Sequence, residues 1–277
     1  MEKLKKMLPK FCGFLFFGTM CTFVSAQKIN YQVNPQTGAL QTLSIANDPQ
    51  KMNWLVVTDG SQYRWVKENY GWGLGYATQV KGNRKEKVSW EIPAEMKQEG
   101  NELVYMAGDI RICVKRKMVE DELIEEYTFR KDKVALVDIG VYTPFNDNYP
   151  GSRTCINART NTHIWEGENA AYVNVLRMGG HAPHLGLVLT KGAVKGYEIW
   201  ERGRDKGNSH TRGIIALNLS DLQLMPGKEY SMSWCLFAHK GIDDFRQKLL
   251  EKGSVFVSCN KYVFEPFLVR ARVHVRI

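Results

Sequence analysis

Glycoside hydrolysis asks for two carboxylates about 5–10 Å apart across a sugar ring. The acidic cluster that best fits that demand is Trp165-Glu166-Gly167-Glu168-Asn169, where an indole stands beside the acids. The same residues also spell a solvated acidic turn after a strand, which is the plainer reading. Glu125-Glu126 and Asp243-Asp244 are poorer candidates, because the first pair alternates across a strand and the second opens a helix. Six histidines are present. Of these, His163 and His184 with Glu166 would supply two imidazoles and a carboxylate for acid–base work on a sugar. Taken singly, each histidine reads as a hydrogen-bonded structural residue. His181-x-x-His184 could grip a metal on a turn, but Pro183 breaks helical ligand spacing and no third ligand is in place. The sequence therefore calls for no metal and no cofactor.

Aromatic rings are the other sugar-directed signal, since their faces stack on the apolar faces of pyranoses. Tyr63, Trp65, Tyr70, Trp72 and Tyr76 crowd one segment, with Gly71, Gly73 and Gly75 between them. A glycine-spaced loop or irregular strand of this kind could present Trp72, and Trp165 is the second ring to test for glycan binding. The plainer reading is sandwich core. Gly71-x-Gly73-x-Gly75 is no dinucleotide fingerprint, because the third glycine comes too soon and no βαβ unit surrounds it. The tail Arg270-x-Arg272-x-His274-x-Arg276 alternates with small apolar residues and would form a strand with one cationic face.

The elements that must position these residues are strands. Val88, Trp90 and Ile92 alternate with Lys87, Ser89 and Glu91, and Ile110, Ile112 and Val114 alternate with Arg111, Cys113 and Lys115. Tyr127–Phe129, Val134–Tyr142, Ala171–Leu176, Leu185–Thr190, Tyr197–Trp200, Gly213–Leu217 and Tyr230–Ala238 continue the series. A period of two with one apolar face marks antiparallel sheets packed on each other. Turn chemistry separates the runs, as in Asn34-Pro35-Gln36-Thr37-Gly38 and Met225-Pro226-Gly227. One helix is expected, from Asp243-Asp244 through Phe245 and Leu249 to Lys252-Gly253, with acids at its start and a cation then glycine at its end. The expected class is all-β, an antiparallel β-sandwich or supersandwich, with one short C-terminal helix.

Charge and cysteine usage narrow the setting. The 277 residues carry a formal net charge of +9. Part of that excess lies in Met1–Ala26, where Lys3, Lys5, Lys6 and Lys10 precede the apolar run Phe11–Val24 and the small-residue end Val24-Ser25-Ala26. That pattern is a secretory leader, and its removal leaves +6. The tail from Lys261 to Ile277 holds another +3. The expected divisions are thus 1–26 as signal peptide, 27–240 as sandwich and 241–277 as a helix and the start of a following segment. No nucleic-acid partner is needed to explain the charge, and no membrane span remains once the leader is gone. The protein is expected to be exported, to the periplasm or beyond. Cys113, Cys155, Cys235 and Cys259 remain, none in C-x-x-C spacing. Sequence does not choose among their pairings, and the strand-like settings of Cys113 and Cys235 favour buried free thiols.

The wording of the chain adds a resemblance. Thr154-Cys155-Ile156-Asn157-Ala158-Arg159-Thr160-Asn161-Thr162-His163-Ile164-Trp165 resembles a secreted, six-hairpin-glycosidase-like family of undefined function. Tyr172-Val173-Asn174, Arg177-Met178-Gly179-Gly180 and Pro183 to Thr190 extend the likeness, as do Pro144-Phe145-Asn146-Asp147, Trp234 to His239 and Asp243-Asp244-Phe245. It covers about residues 28–260. The resemblance implies an amino-terminal β-supersandwich of the galactose-mutarotase-like kind, followed by a much longer chain with an (α/α)6 toroid, where glycosidic chemistry would lie. Residues 267–277 depart from the family's pattern, which implies a shortened member. The expected role is a non-catalytic module that associates with polysaccharide or oligosaccharide. The alternatives are a self-sufficient mutarotase- or lyase-like enzyme using His163, His184 and Glu166, and a module that binds glycan through Trp72 and Trp165.

Overall fold

The structure is a computed structural model that describes residues 28–56, 70–91, 95–147, 152–200, 214–259 and 273–276. The leader-like segment, Tyr63, Trp65, His210 and most of the cationic tail lie outside the described residues. The chain runs through β1 (Ile29–Val33), β2 (Leu40–Ile45), β3 (Gly75–Lys81), β4 (Arg84–Ser89), β5 (Lys97–Glu99) and β6 (Glu102–Ala107). Next come β7 (Ile110–Val119), β8 (Glu122–Lys131), β9 (Ala135–Thr143) and α1 (Ser152–Ala158). Then follow β10 (Thr160–Trp165), β11 (Tyr172–Arg177), β12 (His184–Lys191), β13 (Gly196–Trp200), β14 (Ile214–Leu224) and β15 (Glu229–His239). Last are α2 (Ile242–Glu251), β16 (Phe256–Cys259) and β17 (Val273–Arg276).

Two sheets make the sandwich. One has eight strands in the order β10-β11-β12-β15-β8-β7-β6-β5, the other five in the order β13-β14-β9-β3-β4. Every strand pairing is antiparallel, so the all-β antiparallel sandwich expected from the period of two is what forms. The inward residues are the apolar set of that period. Val137, Ile139 and Val141 on β9 and Leu217 and Leu219 on β14 share one core with Val114 on β7, Tyr127 and Phe129 on β8, and Met232 and Leu236 on β15. Burying such side chains contributes roughly 1.5–3 kcal/mol each against the entropy of ordering the chain.

The hairpin of β1 and β2 closes one end of the core. Asn34 Oδ1 accepts the backbone N–H groups of Gln36 and Thr37 at 2.9 and 3.2 Å, and Gly38 completes the turn at φ +72°. A Cβ at Gly38 would also fall 2.1 Å from Tyr105 Oη, so both backbone angle and space require glycine there.

Two helices are present among the described residues, not the single one expected. The sequence reading missed α1, because Ser152-Arg153-Thr154-Cys155-Ile156-Asn157-Ala158 is short and mostly poor in helix formers. Tertiary bonds hold it instead: Arg177 donates to Asn157 O, and the backbone N–H of Gly179 donates to Ile156 O. The second helix, α2, lies where it was expected. It lays Phe245 and Leu249, both 0% exposed, against Tyr172, Val188, Cys235 and Phe237 on the outer face of the eight-stranded sheet. No helix among the described residues is long and apolar enough to cross a membrane.

Candidate functional site

The residues that sequence singled out fall on three different surfaces. Trp72 is 0% exposed and stands in the core. Its ring meets Phe145 and Trp234 edge-on at 5.1 and 6.5 Å, and its Nε1–H donates to Glu125 Oε2 at 2.7 Å. A ring enclosed in this way offers no face to a pyranose, and Trp72 stands as sandwich core, the plainer of its two readings. Trp165, at 39% exposed, does reach the surface at the edge strand β10. One side of its indole stacks near Tyr172 at 6.5 Å, and Gly167 leaves room for it, since a Cβ there would lie 2.1 Å from Nε1.

His163 is exposed on β10, directly opposite Asn174 on β11, which in turn faces Gly186 on β12. His184 lies two strands away and two residues along, about 12 Å by ordinary strand spacing. It is 3% exposed. Glu166, exposed beyond the end of β10, is farther still. The three do not converge, so the acid–base trio drawn from the sequence is not assembled here. Neither is a His181–His184 chelate, because His181 is exposed and His184 buried. Among the described residues no group of three or more potential ligands is placed to hold a metal ion.

His184 pairs instead with His239, a residue to which sequence assigned no role. They sit opposite each other on β12 and β15, ring centroids 5.3 Å apart, under the start of α2. The backbone N–H of Arg177 donates to His184 Nδ1 at 3.1 Å, which requires that nitrogen to be unprotonated. His239 Nδ1 lies 3.1 Å from Gly241 O, a carbonyl that can only accept, so this nitrogen carries the proton. Burial, reinforced by its histidine neighbour, pushes His239 down to about 4. Burial also lowers His184, and the Arg177 charge adds to it. Both rings are thus neutral structural groups at neutral pH.

Other buried polar groups have equally local explanations. Glu125 accepts Trp72 Nε1 and Trp234 Nε1 at 2.7 Å each and Arg116 Nε at 2.5 Å. Asp48 and Arg177, each 1% exposed at the side chain, pair at 2.7 Å. On the outer face of the five-stranded sheet Tyr76 donates to Glu198 at 2.7 Å and Tyr142 to Glu91 at 2.5 Å. A Cβ at Gly140 would meet the Tyr76 ring at 2.5 Å, so glycine lets that ring lie across β9. Burial raises both phenols, and their carboxylate partners raise them further. They hold their protons as clasps between strands and make poor bases. Cys113, Cys155 and Cys235 are free thiols.

The described residues also form an open groove of about 570 Å³ on the outer face of the eight-stranded sheet. Antiparallel register builds it. Lys191, Ser233, Glu126 and Lys115 stand directly opposite one another across β12, β15, β8 and β7. The neighbouring row brings Cys235, Ile124 and Lys117 together. A bulge between Leu189 and Lys191 turns both Thr190 and Lys191 over the groove. Asn101 closes one end. None of these residues formed a motif, because their nearness depends on pairings between distant strands. The only sequence signal was the polar half of each alternating strand.

Comparison with known proteins places these findings. A polysaccharide lyase of known structure, BACCELL_00875, is 56% identical to this chain and superposes with a TM-score of 0.80. The match covers 91% of this chain but 38% of the lyase, so the chain corresponds to little more than a third of that protein. A galactose mutarotase related enzyme from Lactobacillus acidophilus is 10% identical, with 79% of this chain and 97% of that one matched at a TM-score of 0.47. A GalM/aldose epimerase homologue from C. elegans is 9% identical, with 78% and 97% matched at 0.46. Those two scores are too low to carry an argument. No protein-family model matches the chain, and no curated protein matches it.

Proposed function

We propose that this chain is a carbohydrate-handling β-sandwich module of an exported, polysaccharide-acting protein, one that holds sugar and does not cleave it alone. The observation that carries the reading is the 56% identity, over 91% of this chain, with part of a polysaccharide lyase. The site geometry supports the non-catalytic half. Elimination from a uronic acid needs a base, an acid for the leaving oxygen and a group that steadies the developing negative charge. His163, His184 and Glu166 are dispersed, and Tyr76 and Tyr142 of the five-stranded sheet are committed to carboxylates. The groove and the edge-strand Trp165 are where sugar contact would fall. The kinship with glycosidase-like proteins implied by the sequence belongs to the same proposal, with the related lyase standing for the longer protein.

The test uses the purified chain against polygalacturonate, alginate, hyaluronan and dextran. Affinity electrophoresis reads retention, and ultraviolet absorbance of the unsaturated product reads elimination. Retention by one or more of the polysaccharides without product is expected. Sustained product formation by the chain alone would make it an enzyme and end the non-catalytic reading. Migration unchanged by all four polymers would end the sugar-handling one.

A further inference from the structure

We propose that the groove on the outer face of the eight-stranded sheet binds an acidic oligosaccharide, with Lys115, Lys117 and Lys191 meeting its carboxylates and Glu126 its hydroxyls. This rests on the sugar-handling reading and adds a place and a ligand class to it. The volume of about 570 Å³ lies within the range of small-ligand sites, roughly 300–1,000 Å³. The row from Lys191 to Lys115 spans three strand spacings, about 14 Å, which suits a short chain of sugars better than a single ion.

Charge favours an acid. Three lysines and one carboxylate line the groove together with Arg116, whose guanidinium turns inward to Glu125 and the Gly38 carbonyl. Lys115 is shared with Glu102 at 2.7 Å, and Lys191 stands 3.9 Å from Glu126. Lys117 makes no ion pair among the described residues. Its hydrated ammonium on a flexible stem is free to follow an anion. The floor suits sugar in other respects. Ser233 Oγ donates to Glu125 O at 3.0 Å and Thr190 Oγ1 to Ser233 O at 3.1 Å. With their protons so used, both hydroxyls turn lone pairs toward sugar hydroxyls. Half-buried Ile124 gives the C–H face of a ring an apolar seat. Single-stranded nucleic acid fits poorly, because the groove offers no aromatic platform for its bases.

The experiment compares the full chain with Lys117→Glu, the pair Lys115→Glu/Lys191→Glu, and Lys85→Glu on the other sheet. The probes are oligogalacturonate, maltohexaose and single-stranded DNA, read by calorimetry at low salt with circular dichroism as the check on folding. Oligogalacturonate affinity is expected to fall about tenfold in Lys117→Glu, equivalent to roughly 1.4 kcal/mol, and further in the pair, with Lys85→Glu unchanged. Retained affinity in folded Lys117→Glu and in the pair would overturn the groove while leaving sugar handling intact. Equal losses in Lys85→Glu would reduce the effect to diffuse charge. DNA binding as tight as oligogalacturonate, lost in the same variants, would make this a general anion face. An unmodified chain that binds no sugar at all would sink the sugar-handling reading itself.

Discussion

At the residue scale, the protein spends Trp72, His184 and His239 on architecture, while Trp165 reaches the surface. Trp72 and the histidines drew attention in the sequence because indole and imidazole are chemically able. Whether a tryptophan is presented or enclosed depends on partners that local spacing does not reveal. Glu125, which fixes Trp72, lies 53 positions along the chain. His184 and His239 show the same limit, and their pairing has a measurable outcome. An unfolded histidine takes up its proton near 6.5, whereas His239 in the fold does so near 4. Between those values the unfolded state binds more protons, so acid lowers stability and neutral pH restores it. The full span is worth on the order of 3 kcal/mol at about 1.36 kcal/mol per unit. Denaturant unfolding of the native chain should lose stability from pH 6.5 toward 4, and His239→Phe should flatten that slope whatever it does to the plateau. An unchanged slope would show that other groups set it.

At the element scale, what was legible depended on periodicity. The long strands β7 and β8 alternate, with one face in the core, and were read from that period, whereas β15 is buried on both faces along its second half, where α2 covers it. The charged ends of α2 announced it. By contrast β10 reads Thr-Asn-Thr-His-Ile-Trp, a polar edge with little apolar contrast, and β3 begins among glycines that resemble a loop. The groove was illegible because its residues come from four strands and meet only through register. Helix α2 is held by two fully buried side chains over Tyr172, Val188 and Phe237. Leu249→Ala should therefore cost about 2–5 kcal/mol, the usual range for emptying a buried leucine site. Proteolysis should then begin near α2, with hydrophobic dye binding increased as the covered sheet face opens. Dye binding equal to that of the native chain would mean that α2 protects little.

At the scale of the whole molecule, the feature with the widest reach is the position of β15. It is hydrogen-bonded to β12 on one side and β8 on the other, so it joins the strands of residues 97–131 to those of residues 160–191. Before β15 arrives, β8 and β12 each present a row of unpaired N–H and C=O groups, the kind of edge that recruits other chains. Synthesis runs from the amino terminus, and β15 is the last strand of the eight to be made. Half-sheets formed in chain order would therefore stay open until nearly forty further residues beyond β12 have followed. Nascent chains stalled with β15 inside the tunnel should be cut readily by protease along β8 and β12, whereas chains that have released β15 should resist. Equal resistance at both lengths would show that the halves close without it. On that order of assembly the sandwich would be most vulnerable just before its last strand arrives, and a holdase bound at that stage would guard two edges that a single strand later seals.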